Sequence, residues 1–198
     1  MKQKIGSFNC QYKINLTTTF YERNPFFDVA CTQESGTREQ LRDLVKTLPN
    51  FYMAKAFQDD PAVCAIRTKN RASESGNLDI KAGKNNTRTA LYVFLRSGLL
   101  VVNVHLTSGN PRRAQPELLE IYSFIQKTHS GKPWLIIGDF NHTPNGFGHG
   151  EHIMRGPQYQ GGEYLDWAMA GNIISISGHN LPNYAASDHI PWYVQIEF

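Results

Sequence analysis

The chain has 198 residues, of which 40% are hydrophobic, 12% aromatic and 19% charged, a composition too apolar for a disordered chain and sized for one domain spanning 1–198. No apolar run approaches the ~18 residues of a transmembrane helix, and Lys2 and Lys4 lead directly into a short strand-like run, so no signal peptide is expected within the chain. A formal charge of +3, from 20 basic and 17 acidic residues, permits a phosphate-rich partner without requiring one; Cys10, Cys31 and Cys64 form no CxxC pair and read as buried structural thiols.

Apolar runs bounded by Gly, Pro, Asn and Asp predict strands. The first, at 4–11, carries Ser7-Phe8-Asn9 at its downstream end, and the second, at 27–33, runs out into Gln33-Glu34. A helix follows, because Leu41, Leu44, Val45 and Leu48 recur at helical spacing behind Thr37 and Gln40, which form a capping box. Strands at 51–57 and 62–68 come next, then a loop across 68–88. The strands at 89–96 and 99–106 are separated by Ser97-Gly98 alone, which predicts a two-residue hairpin, and the later one closes on Asn103-Val104-His105. A second helix starts near Pro116, with Leu118, Ile121, Tyr122 and Ile125 on one face. The run 134–138 leads into Asp139-Phe140-Asn141, and a loop rich in Gly, Asn and His fills 142–163. Asp166 lies in the strand 164–170, and Ser187-Asp188-His189 precedes the last strand at 192–197. Many short strands with two one-sided helices fit a sheet-on-sheet core flanked by helices better than a doubly wound sheet.

The polar residues gather where these strands leave the core, a position that presents a side chain rigidly. Each has an ordinary structural reading by itself. Glu34 and Asp166 can be surface acids, Asn9 a turn residue, His105 a core histidine, Asp139 and Asn141 an Asx turn, and Asp188-His189 a capped turn ahead of Pro191. As a set, Glu34, Asp139, Asp166 and Asp188 with Asn9, Asn141, His105 and His189 suit one hard divalent cation and acid–base work on a phosphate ester. Zinc is disfavoured, since the nearest thing to a ligand run is His142, His149 and His152 in a glycine-rich loop, where solvated histidines are expected. The chain contains neither a GxxxxGK[ST] loop nor a GxSxG elbow, which argues against nucleotide-driven transfer and serine hydrolysis. Lys69, Arg71, Lys81, Lys84, Arg88, Arg112 and Arg113 are candidates for a rim that binds a phosphate backbone, the ordinary alternative being scattered surface cations.

The ordered series Phe8-Asn9, Gln33-Glu34, Asn103-Val104-His105, Gly138-Asp139-Phe140-Asn141, Leu165-Asp166 and Ser187-Asp188-His189 resembles the endonuclease/exonuclease/phosphatase family typified by deoxyribonuclease I. Within it, 165–172 and 187–191 look most like the B subunit of cytolethal distending toxins, as do Glu120-Ile121-Tyr122-Ser123-Phe124 and Cys64-Ala65-Ile66-Arg67. The resemblance implies an α+β fold, a four-layer αββα sandwich of two mostly antiparallel sheets. It also implies Mg²⁺-dependent cleavage of DNA phosphodiesters with little sequence specificity and no covalent intermediate, Mn²⁺ or Ca²⁺ being supporting ions. By position, Glu34 would hold the metal with Asp188 near it, and Asn9 would help hold metal and phosphate. Asp139 and Asn141 would orient and deprotonate the attacking water. His189, paired with Asp166, and His105 would bind the scissile phosphate and supply acid–base function. Arg88 resembles the family's phosphate-binding arginine, although its spacing to His105 departs from the pattern. Asp60, beside Asp59, stands where the family carries a second acid that is usually Glu. The toxin likeness further implies a secreted bacterial component that works with delivery or holotoxin subunits and acts on DNA inside a target cell, in its nucleus. Two other classes remain open: a phosphatase of phosphoinositides or other monoesters, or a ribonuclease, on the same site, and a non-catalytic binding module on the same scaffold.

Overall fold

The computed structural model describes residues 1–54, 63–81, 88–109, 111–144, 152–183 and 187–198, with only the backbone at 88, 111 and 113. Two six-stranded sheets face each other. The first has the order β11 (Ser175–Asn180), β12 (Trp192–Glu197), β1 (Lys2–Asn9), β2 (Val29–Gln33), β4 (Ala65–Thr68), β3 (Phe51–Met53). The second runs β5 (Glu74–Ile80), β6 (Arg88–Phe94), β7 (Leu100–His105), β8 (Trp134–Asp139), β10 (Asp166–Gly171), β9 (His152–Arg155). Only β1 with β2 and β7 with β8 pair in parallel; every other described pairing is antiparallel.

Side-chain parity sorts the residues into layers, since alternate positions of a strand face opposite sides. Val101, Leu135, Ile137, Ala168 and Ala170 of the second sheet belong to the core shared with Ile5, Val194 and Ile196 of the first. Their neighbours Leu100, Val102, Val104, Ile136 and Met169 turn the other way and pack on Leu118, Ile121 and Ile125 of α3 (Pro111–Thr128). On the first sheet's outer face lie α1 (Ile14–Arg23) and α2 (Arg38–Thr47), through Leu16, Phe20, Tyr21 and Leu41. The Phe20 ring sits 5.6 Å from that of Phe8. The four expected layers are therefore present, and the three cysteines are buried and free.

Several elements depart from the expected plan. The capping box at Thr37 forms with both its hydrogen bonds, but Val45 is exposed while Leu44 and Leu48 pack inward. α1 lies where only a connection was expected, because Thr17, Thr18 and Thr19 dilute its apolar face and Lys13 makes no side-chain cap. The supposed loop at 68–88 contains β5, whose polar residues face solvent from a sheet edge, and β9 and β11 are similarly polar edge strands. α3 begins at Pro111 rather than near Pro116; Pro111 suits a first helical position, and Pro116 sits inside the helix. The hairpin turn is one residue longer than predicted. Leu95 N–H reaches the Leu99 carbonyl at 2.8 Å, leaving Arg96, Ser97 and Gly98 as the turn, with Gly98 at φ +91°.

One polar contact crosses the apolar space between the sheets. Asn103, fully buried in β7, donates from Nδ2 to the carbonyls of Thr32 and Ala65 at 2.9 Å each, and its Oδ1 accepts from Gln33 Nε2 at 2.6 Å. All of its amide capacity on that side is thereby spent on the opposite sheet, so truncation strands two carbonyls and an amide. Asn103→Ala is expected to lower stability by about 2–4 kcal/mol in urea unfolding; a loss below ~1 kcal/mol would mean that the sheets are not clamped there.

Candidate active site

The period-two parity that builds the core also builds the site. Positions 5, 7 and 9 of β1 face the space between the sheets, as do 101, 103 and 105 of β7 and 135, 137 and 139 of β8. Asn9, His105 and Asp139 thus continue apolar or uncharged inward rows to the point where the strands end. The two parallel pairs end at the same pole of the sandwich: Asn9 pairs with Gln33, and His105 with Asp139. Asp166, at the start of antiparallel β10, pairs with Asp139 and so reaches the same pole. Gly138 allows the approach just before Asp139, with φ +147° and only 2.1 Å between the position of a Cβ and the Val104 carbonyl oxygen.

At this pole the side chains converge on Asp139. Asn9 Nδ2 donates to Asp139 Oδ2 at 2.9 Å and to Glu34 Oε1 at 3.3 Å, while its Oδ1 accepts the Gln11 N–H at 3.0 Å. Asp139 Oδ1 accepts the backbone N–H of Asn141 at 2.8 Å, so the Asx turn exists and serves to orient the carboxylate. Asn141 Nδ2 holds the Leu106 carbonyl at 2.9 Å. His105 Nε2 lies 3.3 Å from Glu34 Oε1 and 3.8 Å from Asp139 Oδ2. His189 Nε2 approaches the same Asp139 oxygen from the other side, at 3.7 Å, and its Nδ1 bonds Asp166 Oδ2 at 2.6 Å. Asp188 Oδ1 is 3.8 Å from His189 Nε2 and accepts a hydrogen bond from Gln11 Nε2. The loop before β12 is tied to β1 by Ser187 Oγ, which donates to the Asn9 carbonyl at 3.0 Å.

Of the residues singled out in the sequence, Asn9, Glu34, His105, Asp139, Asn141, Asp166, Asp188 and His189 therefore come together. Asp166 is buried rather than an exposed acid, and His105 borders a cleft rather than filling a core. Asp60 lies outside the described residues, and of Arg88 only the backbone is within them, at the end of β6 toward the His105 pole. His142 is not solvated: it is buried against Phe140 and Trp167, with Nδ1 2.8 Å from the Thr143 carbonyl, and burial lowers its pKa. The expected cationic rim divides. Lys81 and Arg112 belong to the site's pole, whereas Lys69 and Arg71 follow β4 at the opposite one, since Thr68 pairs with Val29 at the start of β2. Lys84 lies outside the described residues, and Arg113 is described by its backbone alone.

The cleft, about 860 Å³, is also lined by residues that sequence reasoning missed, among them Gln11, Tyr12, Gln115 and Tyr159. Tyr159 lies with its ring 5.2 Å from that of His189, and its bond to Asp188 raises the phenol pKa. Glu117, buried on α3, accepts the Thr107 N–H at 2.8 Å and the Thr107 hydroxyl, which fixes the turn after His105. No short motif marks these residues, because their partners are distant in sequence. A backbone signature does mark the pole: four of the six described non-glycine residues with positive φ are Gln11, Tyr12, Glu34 and Asn141, conformations that cost of order 1–3 kcal/mol each and persist where surrounding structure enforces them.

The site carries uncompensated negative charge. Burial raises the Asp139 pKa, the charge of Asp166 raises it further, and His105 and His189 oppose the shift. Burial likewise raises that of Glu34, against the hydrogen bond from Asn9 and with the charge of Asp139. Asp166 Oδ1 is buried without a hydrogen-bond partner, and Asp139, Asp166 and His189 offer ligand atoms within 4.8 Å of one another. Crowded carboxylate oxygens that strain to be neutral fit a hard divalent cation. Burial also disfavours the imidazolium of His189, but Asp166, with Asp139 and Asp188, outweighs it and raises the pKa to about 9.

The profile of the Endonuclease/Exonuclease/phosphatase family matches residues 6–189 of the chain. No curated protein sequence matches it. Among solved structures, the cytolethal distending toxin of Haemophilus ducreyi is similar with a TM-score of 0.74 at 16% identity, over 98% of this chain and 97% of that one. An endonuclease/exonuclease/phosphatase from Bacteroides vulgatus gives 0.74 at 16% identity, over 100% and 99%, and truncated TDP2 of Caenorhabditis elegans gives 0.73 at 13%, over 100% and 98%. These likenesses establish the shared sandwich fold.

All three shifts have one sign. Glu34, Asp139 and His189 hold their protons more tightly in the folded chain than at their ordinary values of 4.5, 3.8 and 6.5. The native state then binds more protons than the unfolded one, so their contribution is fullest below those values and is lost as pH rises. For His189 the window runs from 6.5 to about 9. Without divalent cations, Tm is expected to fall across that window, and Asp166→Asn is expected to flatten the fall; a wild-type Tm that is constant there would contradict the His189–Asp166 assignment.

Proposed function

Since this chain belongs to the endonuclease/exonuclease/phosphatase family, we propose that it is a metal-dependent endonuclease that hydrolyses DNA phosphodiesters with little sequence specificity. The observation that carries this reading is the pair of imidazoles on either side of Asp139, one of them anchored by Asp166, above carboxylates suited to a hard cation. Glu34 and Asp188 are the residues that would hold Mg²⁺. When bound, that ion supplies charge neutralisation of the phosphoryl and leaving oxygens.

The remaining roles follow from the contacts. Asn9 holds Glu34 and Asp139 at a common spacing through one amide nitrogen. Asp139, with Oδ1 fixed by the Asn141 N–H, takes the proton of the attacking water at Oδ2, and its raised pKa makes it a better base than an ordinary aspartate. His189 is protonated at neutral pH, so its Nε2–H donates to a non-bridging phosphate oxygen while Nδ1–H stays on Asp166. His105, whose Nε2 lies beside Glu34 and Asp139, contributes a second contact from that nitrogen. Asn141 and Arg88 complete the phosphate contacts by position. Water attacks phosphorus directly and no residue is alkylated or phosphorylated. The imidazoles and carboxylates of the cleft act on the phosphate, and among the described residues α3 reaches its lining with Gln115 alone, too little to read base sequence.

The likeness of 165–172 and 187–191 to a toxin subunit supports a further reading, in which partner subunits deliver this nuclease from a bacterium into a target cell and its nucleus. The equally similar TDP2 fold leaves that part to the sequence resemblance. Among the described residues no helix is long and apolar enough to cross a membrane.

Purified protein with Mg²⁺ is expected to nick supercoiled plasmid, and EDTA to stop the reaction until Mg²⁺ is restored. Asp139→Ala and His189→Ala should each lower the rate by orders of magnitude, at least ~10² for an acid–base group, with the circular dichroism spectrum unchanged. Undiminished nicking in chelator or in either variant would overturn the mechanism. A folded wild type that spares DNA but hydrolyses RNA or an inositol phosphate would move the same chemistry to that substrate.

A further inference from the structure

At the pole opposite the catalytic cleft, the starts of β1 and β2, the segment after β4 and the β6–β7 turn surround a second cavity of about 410 Å³. Lys69, Arg71 and Arg96 line it, together with Lys2, Asn70 and Ser97. Lys2 is engaged by Glu197 at 3.7 Å, but Lys69, Arg71 and Arg96 form no ion pair among the described residues. Asp28 is the one acid in the lining, and its Oδ2 is occupied by the Lys4 N–H at 2.9 Å. The fold therefore brings three cations, without ion-pair partners among the described residues, from two separate segments to the rim of one concavity, an arrangement whose local positive potential favours an anion. Gln3, bonded through Nε2 to Ser97 Oγ at 2.9 Å, ties the turn to β1, and the Lys69 N–H, donating to the Asp28 carbonyl at 2.9 Å, ties the other cationic segment to the start of β2.

We propose that this cavity is a second binding site for nucleic-acid phosphates, an exosite remote from the cleft. The choice of nucleic acid rests on the endonuclease reading above. The site itself rests on the cations. Arg71 and Arg96 supply planar forks for phosphate oxygens and Lys69 a point charge, whereas among the described residues the lining offers one exposed large apolar side chain, Met1, too little to insert into a lipid surface. β1 spans the distance between the poles, roughly 23 Å at ~3.3 Å per residue. A long polymer held at the exosite thus keeps the cleft within reach of another of its segments and raises the effective substrate concentration there.

The test compares the wild type with the triple variant Lys69→Gln, Arg71→Gln, Arg96→Gln, none of which lies near the cleft. Binding of a fluorescent 40-base-pair duplex is followed by anisotropy in EDTA over a range of salt, which separates binding from cleavage. Loss of three phosphate contacts is expected to flatten the slope of log affinity against log salt by about 2.7, at ~0.9 per contact. With Mg²⁺, hydrolysis of bis(p-nitrophenyl) phosphate should be the same in both proteins, and nicking of long DNA should fall in the variant alone. An unchanged salt slope overturns the exosite. A variant that keeps its DNA affinity but loses binding to phosphatidylserine vesicles overturns it in favour of a lipid surface. Failure of the endonuclease reading would register separately, as a wild type that binds DNA with the steep slope yet hydrolyses neither substrate.

Discussion

The hydrogen bond from Asn9 to Asp139 joins the last residue of β1 to the last residue of β8 across the space between the sheets. Everything chemical in the molecule depends on that junction. Asn9 reaches Asp139 only because both strands end at the same pole with their final side chains turned inward, which follows from two parallel pairings, β1 with β2 and β7 with β8. The amide spans one acid from each sheet, so any sliding of one sheet on the other would separate Glu34 from Asp139. The Asn103 clamp further inside the sandwich restrains that motion, binding β7 to β2 and β4 at three points. A site assembled on rigid strand ends and the residues just beyond them, with supporting contacts in the core and the loop before β12 tied to β1 through Ser187, keeps its geometry.

The same junction concentrates charge where folding would avoid it. Asp166 pairs directly with Asp139 in adjacent strands, placing two buried carboxylates on one inward row. His189 relieves part of this through Asp166, and the Asn9 amide relieves part of the rest, yet Glu34 and Asp139 are still driven toward their neutral forms. Add the backbone at Gln11, Tyr12, Glu34 and Asn141, and the pole is a region of locally unfavourable choices held by the surrounding structure. Such a region is what a cation-binding hydrolytic site requires, since a pre-formed pocket crowded with carboxylates gains most when a positive ion enters.

How legible this was depends on which signal each residue carries. β7 and β8 are buried on both faces and read as near-continuous apolar runs, while β1 is buried in its second half and β12 alternates, so their ends could be located, and with them Asn9, His105, Asp139 and the residues flanking His189. The strands β5, β9 and β11 are exposed edges with polar sequences such as ESGNLDI and SISGHN, where neither alternation nor an apolar run survives. α1 was hidden for the related reason that threonines occupy its middle. Glu34 was legible as the end of a strand, but the left-handed backbone that turns its carboxylate to the cleft was not, because nothing local favours that conformation in glutamate. Gln11 and Tyr159 act through partners far along the chain, and Glu117 through a turn one helix face away, so only the folded contacts reveal them.

The two poles also explain why a modest net charge misleads. Evenly spread, +3 over 198 residues is a weak signal for a polyanion partner. In the folded chain the acids Glu34, Asp139 and Asp188 line one end with Asp166 behind them, while Lys69, Arg71 and Arg96 gather at the other, without ion pairs among the described residues. The seven cations grouped as one rim in the sequence cannot act as one, because β4 runs antiparallel to β2 and so carries Lys69 and Arg71 away from the pole where Glu34 emerges. Charge placement here is a consequence of strand direction, and strand direction is set by which connections the hydrophobic rows permit, not by the charges themselves.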